Sequence, residues 1–177
     1  MDEHDGSKCS LTPDGTMQTV VELSGRDIKR RNLLLGTMFT AAAFAEPVLL
    51  GLTVPSRLSL ARQSGQRLGM SDVEAITSTV EHFRRLGNRL GGGLVRDQIV
   101  RFLHGEADRA LHASYNEPTG QALFSAVAQA TKLAGSMATE VGRPVLAQRY
   151  YLQAFSLAMH GADRAFAAEV LTHMARL

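Results

Sequence analysis

Leu133-Ala134-Gly135-Ser136-Met137-Ala138, then Gly142-Arg143-Pro144, then Ala147-Gln148-Arg149-Tyr150-Tyr151-Leu152-Gln153-Ala154 is the stretch that decides the fold. Leu123, Val127, Ala130, Ala134, Met137 and Val141 recur at alternating steps of four and three, which predicts a helix with one apolar stripe laid along a neighbour. Gly142 stops that helix. Pro144 suits the first turn of the next, where the N–H it lacks would be unpaired anyway. The second helix presents Ala147, Tyr150, Tyr151, Ala154 and Ala158. Small residues on both helices let the backbones approach closely, and an aromatic fills the gap left between them.

Outward from this hairpin the same patterns continue. Asp163 is placed to cap a last helix bearing Ala167, Val170, Leu171 and Met174, still in pattern at Leu177, so it reads either as a cap or as the start of a longer array. Upstream, Ser71 and Glu74 have capping-box spacing, and Val73, Ile76, Val80, Phe83 and Leu90 follow at helical intervals. Gly91-Gly92-Gly93 ends that helix. Another is expected from about Leu94 to Leu111, with Val95, Ile99, Phe102 and Leu103 on one face, before a turn at Asn116, Pro118 and Gly120.

The first 31 residues are polar, with six acids against five bases. Cys9 to Thr12 and Thr16 to Leu23 flank Pro13-Asp14-Gly15, a triplet suited to a tight turn, so a small hairpin is expected there. Leu33 to Leu52 is the most apolar stretch, interrupted by Glu46-Pro47, which makes it a poor membrane span and a better buried helix. The expected organisation is a polar segment at 1–31, an apolar helix at 32–54, a linker at 55–70 and a helical domain at 71–177. The fold class is all-α: five antiparallel helices from Ser71 onward, stacked as a short solenoid. Such stacks need about three repeats, so two and a half should lean on the 33–52 helix or on a second protomer.

Gly135, Ala138, Gly142, Ala147, Tyr151 and Ala154 fall at the mutual offsets of the tetratricopeptide repeat, with Met159 where a proline is usual. A wider resemblance covers roughly residues 26 to 177. Arg30-Arg31-Asn32-Leu33-Leu34-Leu35-Gly36, His82-Phe83-Arg84-Arg85-Leu86 with the triple glycine, Leu133 to Ala138 and Ala147 to Tyr151 resemble the C-terminal, tetratricopeptide-like region of actinobacterial helix-turn-helix transcriptional regulators. Ser136 stands where that family often has tryptophan, and no DNA-binding helix-turn-helix precedes Arg30. The resemblance implies a regulatory role, with DNA contact assigned to no residue of this sequence.

Chemistry is sparse. With 177 residues, 45% hydrophobic, 20% charged and 6% aromatic, the chain is expected to be one globular domain packed on small side chains. A net charge of +2 implies neither nucleic acid nor an acidic membrane as partner, and the single cysteine, Cys9, excludes an internal disulfide. His104, Glu106 and Asp108 lie on different helical faces and read as a solvated helix end, not a metal site; the other histidines default to solvent. The triple glycine follows no strand and precedes no Gly-Lys-Ser/Thr, so it is no phosphate loop. Arg84, Arg85, Arg89, Arg96 and Arg101, interleaved with Glu81 and Asp97, read as a solvated face. Arg30-Arg31 before Leu33-Leu34-Leu35, with Ala43-Phe44-Ala45 beyond, also imitates a twin-arginine export signal; the long acidic lead favours the buried helix and a cytoplasmic protein.

No nucleophile, acid–base pair or metal constellation emerges, so the groove between stacked helix pairs is expected to bind and not to catalyse, and the resemblance implies that it binds a protein, a peptide or a small-molecule signal in a regulatory role, with no cofactor, no membrane and no direct nucleic acid. If Tyr151 fills the repeat core, Tyr150, about 100° round the helix, faces the groove. Arg143, Gln148 and Arg149 are its polar neighbours, and these four are the candidate groove residues.

Overall fold

The computed structural model describes residues 9–29, 60–63 and 65–177, together with Ala45 and Leu49. The expected apolar helix, the twin-arginine pair and its small-residue site fall largely outside these residues. Among the described residues the architecture is all-α, accompanied only by isolated bridges that pair Arg62 with Tyr115 and Arg67 with Ser114.

The N-terminal hairpin is not formed. Pro13–Ile28 is a helix, α1. Thr12 adopts extended backbone and accepts from the Gly15 N–H at 3.2 Å, Pro13 occupies the first turn, and Asp14 sits at the positive end of the helix dipole. The triplet that suits a tight turn therefore starts a helix equally well. Period decides between them: Thr16, Val20, Leu23 and Asp27 are all buried, spaced by four, three and four, which a strand cannot place on one face.

Helix α2 spans Met70–Leu90. Its cap lies two residues before the expected Ser71: Gly69 is the N-cap and its N–H donates to the Asp72 carboxylate at 2.8 Å, so Asp72 takes the role expected of Glu74. After Gly91, at φ +84°, α3 (Gly92–Phe102) passes through a π-helical turn at Leu103–Ala107 into the short α4 (Asp108–Leu111). Leu103 and Ala107, at the two ends of that wide turn, are both buried. Helices α5 (Glu117–Glu140), α6 (Pro144–His160) and α7 (Arg164–Met174) complete the body. Asn116 and Asp163 cap α5 and α7 through their side chains, the second as expected.

Contacts fix the helix directions. A Cβ on Gly135 of α5 would stand 2.9 Å from the Tyr151 ring and 3.3 Å from the Ala147 carbonyl oxygen; at the far end of the pair Gly161 closes on Gln121 and Ser125. Helix α6 thus runs back along α5. Phe83 and Phe102 meet edge to face at 5.8 Å across the Gly91 turn, so α3 runs back along α2. Arg84 reaches Gln129 and Gly87 meets Met137, which sets α2 alongside α5 in the same direction. Ser125 with Asp163 and Lys132 with Glu169 do the same for α7.

The two turns on either side of α6 share one hydrogen-bond pattern. Arg143 N–H reaches the Ala138 carbonyl and Asp163 N–H reaches the Ala158 carbonyl, each at 2.9 Å, closing Schellman motifs. Gly142 takes the left-handed conformation in the first, at φ +71°; Ala162 takes it in the second, at φ +57°. The neighbouring Gly161 permits the close approach to α5.

Helix α1 lies across α3 and α6. Thr16 meets His160, Gly25 meets His104, and Asp27 meets Arg96 and Tyr150. Residues 60–63 and 65–69 are strapped to the α4–α5 turn: Arg62 and Tyr115 exchange backbone bonds of 2.8 and 2.9 Å, and the Leu60 N–H donates to Glu117 at 2.8 Å. No described helix is long and apolar enough to cross a membrane.

Candidate functional site

The most concentrated polar arrangement in the described structure is built around Asp27, on the last turn of α1. Its side chain is 1% exposed, and it is held by Arg96 of α3, whose side chain is 9% exposed. The Arg96 guanidinium donates to both carboxylate oxygens, and the Tyr150 hydroxyl donates to Oδ2 at 2.8 Å. Arg143, the residue before α6, brings Nη1 to 3.9 Å from Oδ1 with 41% of its side chain exposed. A buried carboxylate is tolerable only when charge and lone pairs are both answered; Arg96 and Tyr150 answer them, and the more distant Arg143 adds a second positive charge. Beside the cluster lies a cavity of about 130 Å³ lined by Asp27, Ile28, Arg96, Asp97, Val100, Arg101 and Arg143.

The phenol is tuned by this setting. Burial pushes the Tyr150 hydroxyl well above its usual value of 10, and the Asp27 charge with the hydrogen bond donated to it adds to the rise, against a smaller lowering by Arg96. Tyr150 therefore stays a neutral donor, and its ring is fully buried. That corrects the groove-facing orientation expected of it: the face of α6 that carries Tyr150 is covered by α1, because Asp27 draws that helix onto it.

Of the four expected groove residues, the structure brings Arg143 and Tyr150 to one carboxylate. Gln148 and Arg149 are both largely buried and lie about 200° and 100° from Tyr150 around α6. Tyr151 fills the gap over Gly135, as expected, and its hydroxyl donates to Ser136 at 3.2 Å.

Asp27 and Arg96, which the sequence places in a polar segment and on a basic face expected to be solvated, are both buried. A signal was there. Asp27 continues the Thr16, Val20, Leu23 series, and Arg96 falls beside Val95 and one turn from Ile99 and Val100, so each charge sits at a core-facing position. The remainder of the basic face behaves as expected, with Arg84 and Arg85 near Glu81.

His160 is not solvent-facing. It sits edge-on against Phe124, with Nε2 3.1 Å from the Thr16 hydroxyl, and burial lowers its pKa below 6.5. His104 is exposed, in keeping with the solvated position expected of it, and its Nδ1 lies 3.2 Å from the Val21 carbonyl oxygen. Among the described residues no three His, Cys, Asp or Glu side chains are grouped to hold a metal. No protein-family model, curated protein or solved structure matches the chain.

Proposed function

We propose that this chain is a non-enzymatic regulatory binding module: a short tetratricopeptide-like solenoid of antiparallel helix pairs that receives a protein, a peptide or a small-molecule signal. The observation that carries the reading is Arg143, a part-exposed cation at the mouth of a cavity whose wall is fixed by a buried charge cluster. A fixed wall with accessible charges at its rim suits recognition, since little side-chain ordering remains to oppose binding. The alternating helix directions and the Gly135–Tyr151 approach support the solenoid, and the sequence resemblance supports a regulatory setting. DNA contact is assigned to no described residue, so a transcriptional effect would pass through a partner. The protein is proposed to act in the cytoplasm with residues 1–50 intact.

The test is equilibrium association of the purified chain with proteins and metabolite fractions of its native host, comparing wild type with Arg143→Glu. Saturable binding without turnover, weakened by the charge reversal while circular dichroism is unchanged, is the expected result. Substrate turnover, or no association by the wild type, would contradict it. N-terminal sequencing from the host separates the exported reading, which requires a mature terminus at Glu46.

A further inference from the structure

We infer that the cavity beside Asp27 binds a small oxyanion, a phosphoryl or carboxylate group, gripped by Arg143 and Arg101 over a floor made by Arg96. This rests on the binding-module reading and names the chemistry of that same site. Three cations line the space against two acids, and the acids are unequal. Asp27 is already satisfied by Arg96 and Tyr150. Asp97 points largely to solvent, 64% exposed, with an oxygen 3.6 Å from Arg96 Nη1.

The donors, by contrast, are in surplus. Arg143 stands beyond hydrogen-bond range of Asp27, and Arg101 makes no ion pair among the described residues. Arg96 is nine-tenths buried, and its Nε has no hydrogen-bond partner among the described residues. A cavity floored by a buried guanidinium and lined by two further arginines is complementary to an incoming oxyanion. The planar fork of arginine matches carboxylate and phosphate alike. At about 130 Å³ the space falls below the roughly 300 Å³ of ordinary small-molecule sites, so it suits one anionic group and not an extended ligand.

The experiment titrates the full chain with inorganic phosphate, and separately with acetate, at constant ionic strength set by chloride. Calorimetry and the arginine Nε–H resonances provide the readouts. Saturable one-to-one binding is expected. Arg143→Gln should weaken it about ten-fold, the loss of one charge-assisted hydrogen bond. Asp97→Asn should tighten it by removing a competing anion. Arg101→Gln, on an exposed side chain, gives a second test should Arg143→Gln disturb the fold. Phosphate binding alone assigns a phosphoryl group, and acetate binding alone a carboxylate. No saturable binding of either anion, or binding unchanged in both arginine variants, overturns the inference. A partner that associates while neither anion binds overturns this inference and leaves the binding-module reading standing; an anion that binds where no protein or peptide associates supports this inference and narrows that reading to a small-molecule signal.

Discussion

Replacing Asp27 by Asn keeps the side-chain volume and removes only the charge. Arg96, 9% exposed, would then be a buried guanidinium with no counter-charge except the more distant Asp97. Breaking one partner out of a buried ion pair costs about 3–5 kcal/mol, chiefly the cost of leaving the other charge uncompensated. An Asn oxygen can still accept from Tyr150 or Arg96, so the lower end, about 3 kcal/mol, is expected. Against the roughly 5–15 kcal/mol of a typical domain this is a large fraction. It corresponds to a fall in Tm of about 6–12 °C for a chain of this size. Urea unfolding followed by far-UV circular dichroism measures it, with an unchanged m value showing that the unfolded state is the same. Tyr150→Phe, which removes one hydrogen bond to a charged acceptor, should cost about 2 kcal/mol. In a double-mutant cycle, Asp27→Leu with Arg96→Met should be much milder than the sum of the two single changes, because the pair leaves together. A loss below about 1 kcal/mol for Asp27→Asn would refute the reasoning that this cluster fastens α1 to the helices beneath it.

Ala162→Gly should stabilise the fold by about 1 kcal/mol, since Ala162 bears a left-handed φ of +57°, and Gly142→Ala should cost a similar amount at φ +71°; thermal unfolding of both checks the sign. His160 is held neutral by burial below its usual 6.5, so its contribution is complete above pH 6.5 and declines as the pH falls through the lowered value, where the unfolded histidine already holds a proton. Stability measured at pH 7.5 and 5.5 should therefore drop less in His160→Gln than in the wild type. A fragment of residues 67–177, which lacks α1 and so leaves Arg96 and Tyr150 without Asp27, should fail to give the monodisperse monomer that light scattering would report if α1 were dispensable.

Much of the helical body was legible because its period is strict. Val127, Ala130, Ala134 and Met137, and Ala147, Tyr151, Ala154 and Ala158, are buried where their spacing put them. The caps and turns were legible only to within a residue or two, since Gly69 with Asp72 competes with Ser71 with Glu74 on nearly equal terms, and Gly161 and Ala162 exchange the roles a turn glycine would combine. Helix α1 is not legible locally because Pro13-Asp14-Gly15 has two uses, and the choice depends on burial against α3 and α6, contacts far apart in sequence. The site was half legible for the same reason. Arg143 and Tyr150 announced themselves as polar and aromatic residues beside a repeat turn. Asp27 and Arg96 lie 69 positions apart, and each alone resembles an ordinary surface charge until the fold brings them together.

The most direct test of regulatory binding at this place is photo-cross-linking in the native host from position 28, where Ile28 is 39% exposed and lines the cavity beside Arg143. A photoreactive residue there should yield one discrete adduct with a protein partner or labelled signal, diminished when Arg143→Glu is added. The absence of any adduct, or an adduct indifferent to the charge at position 143, would contradict binding at this site.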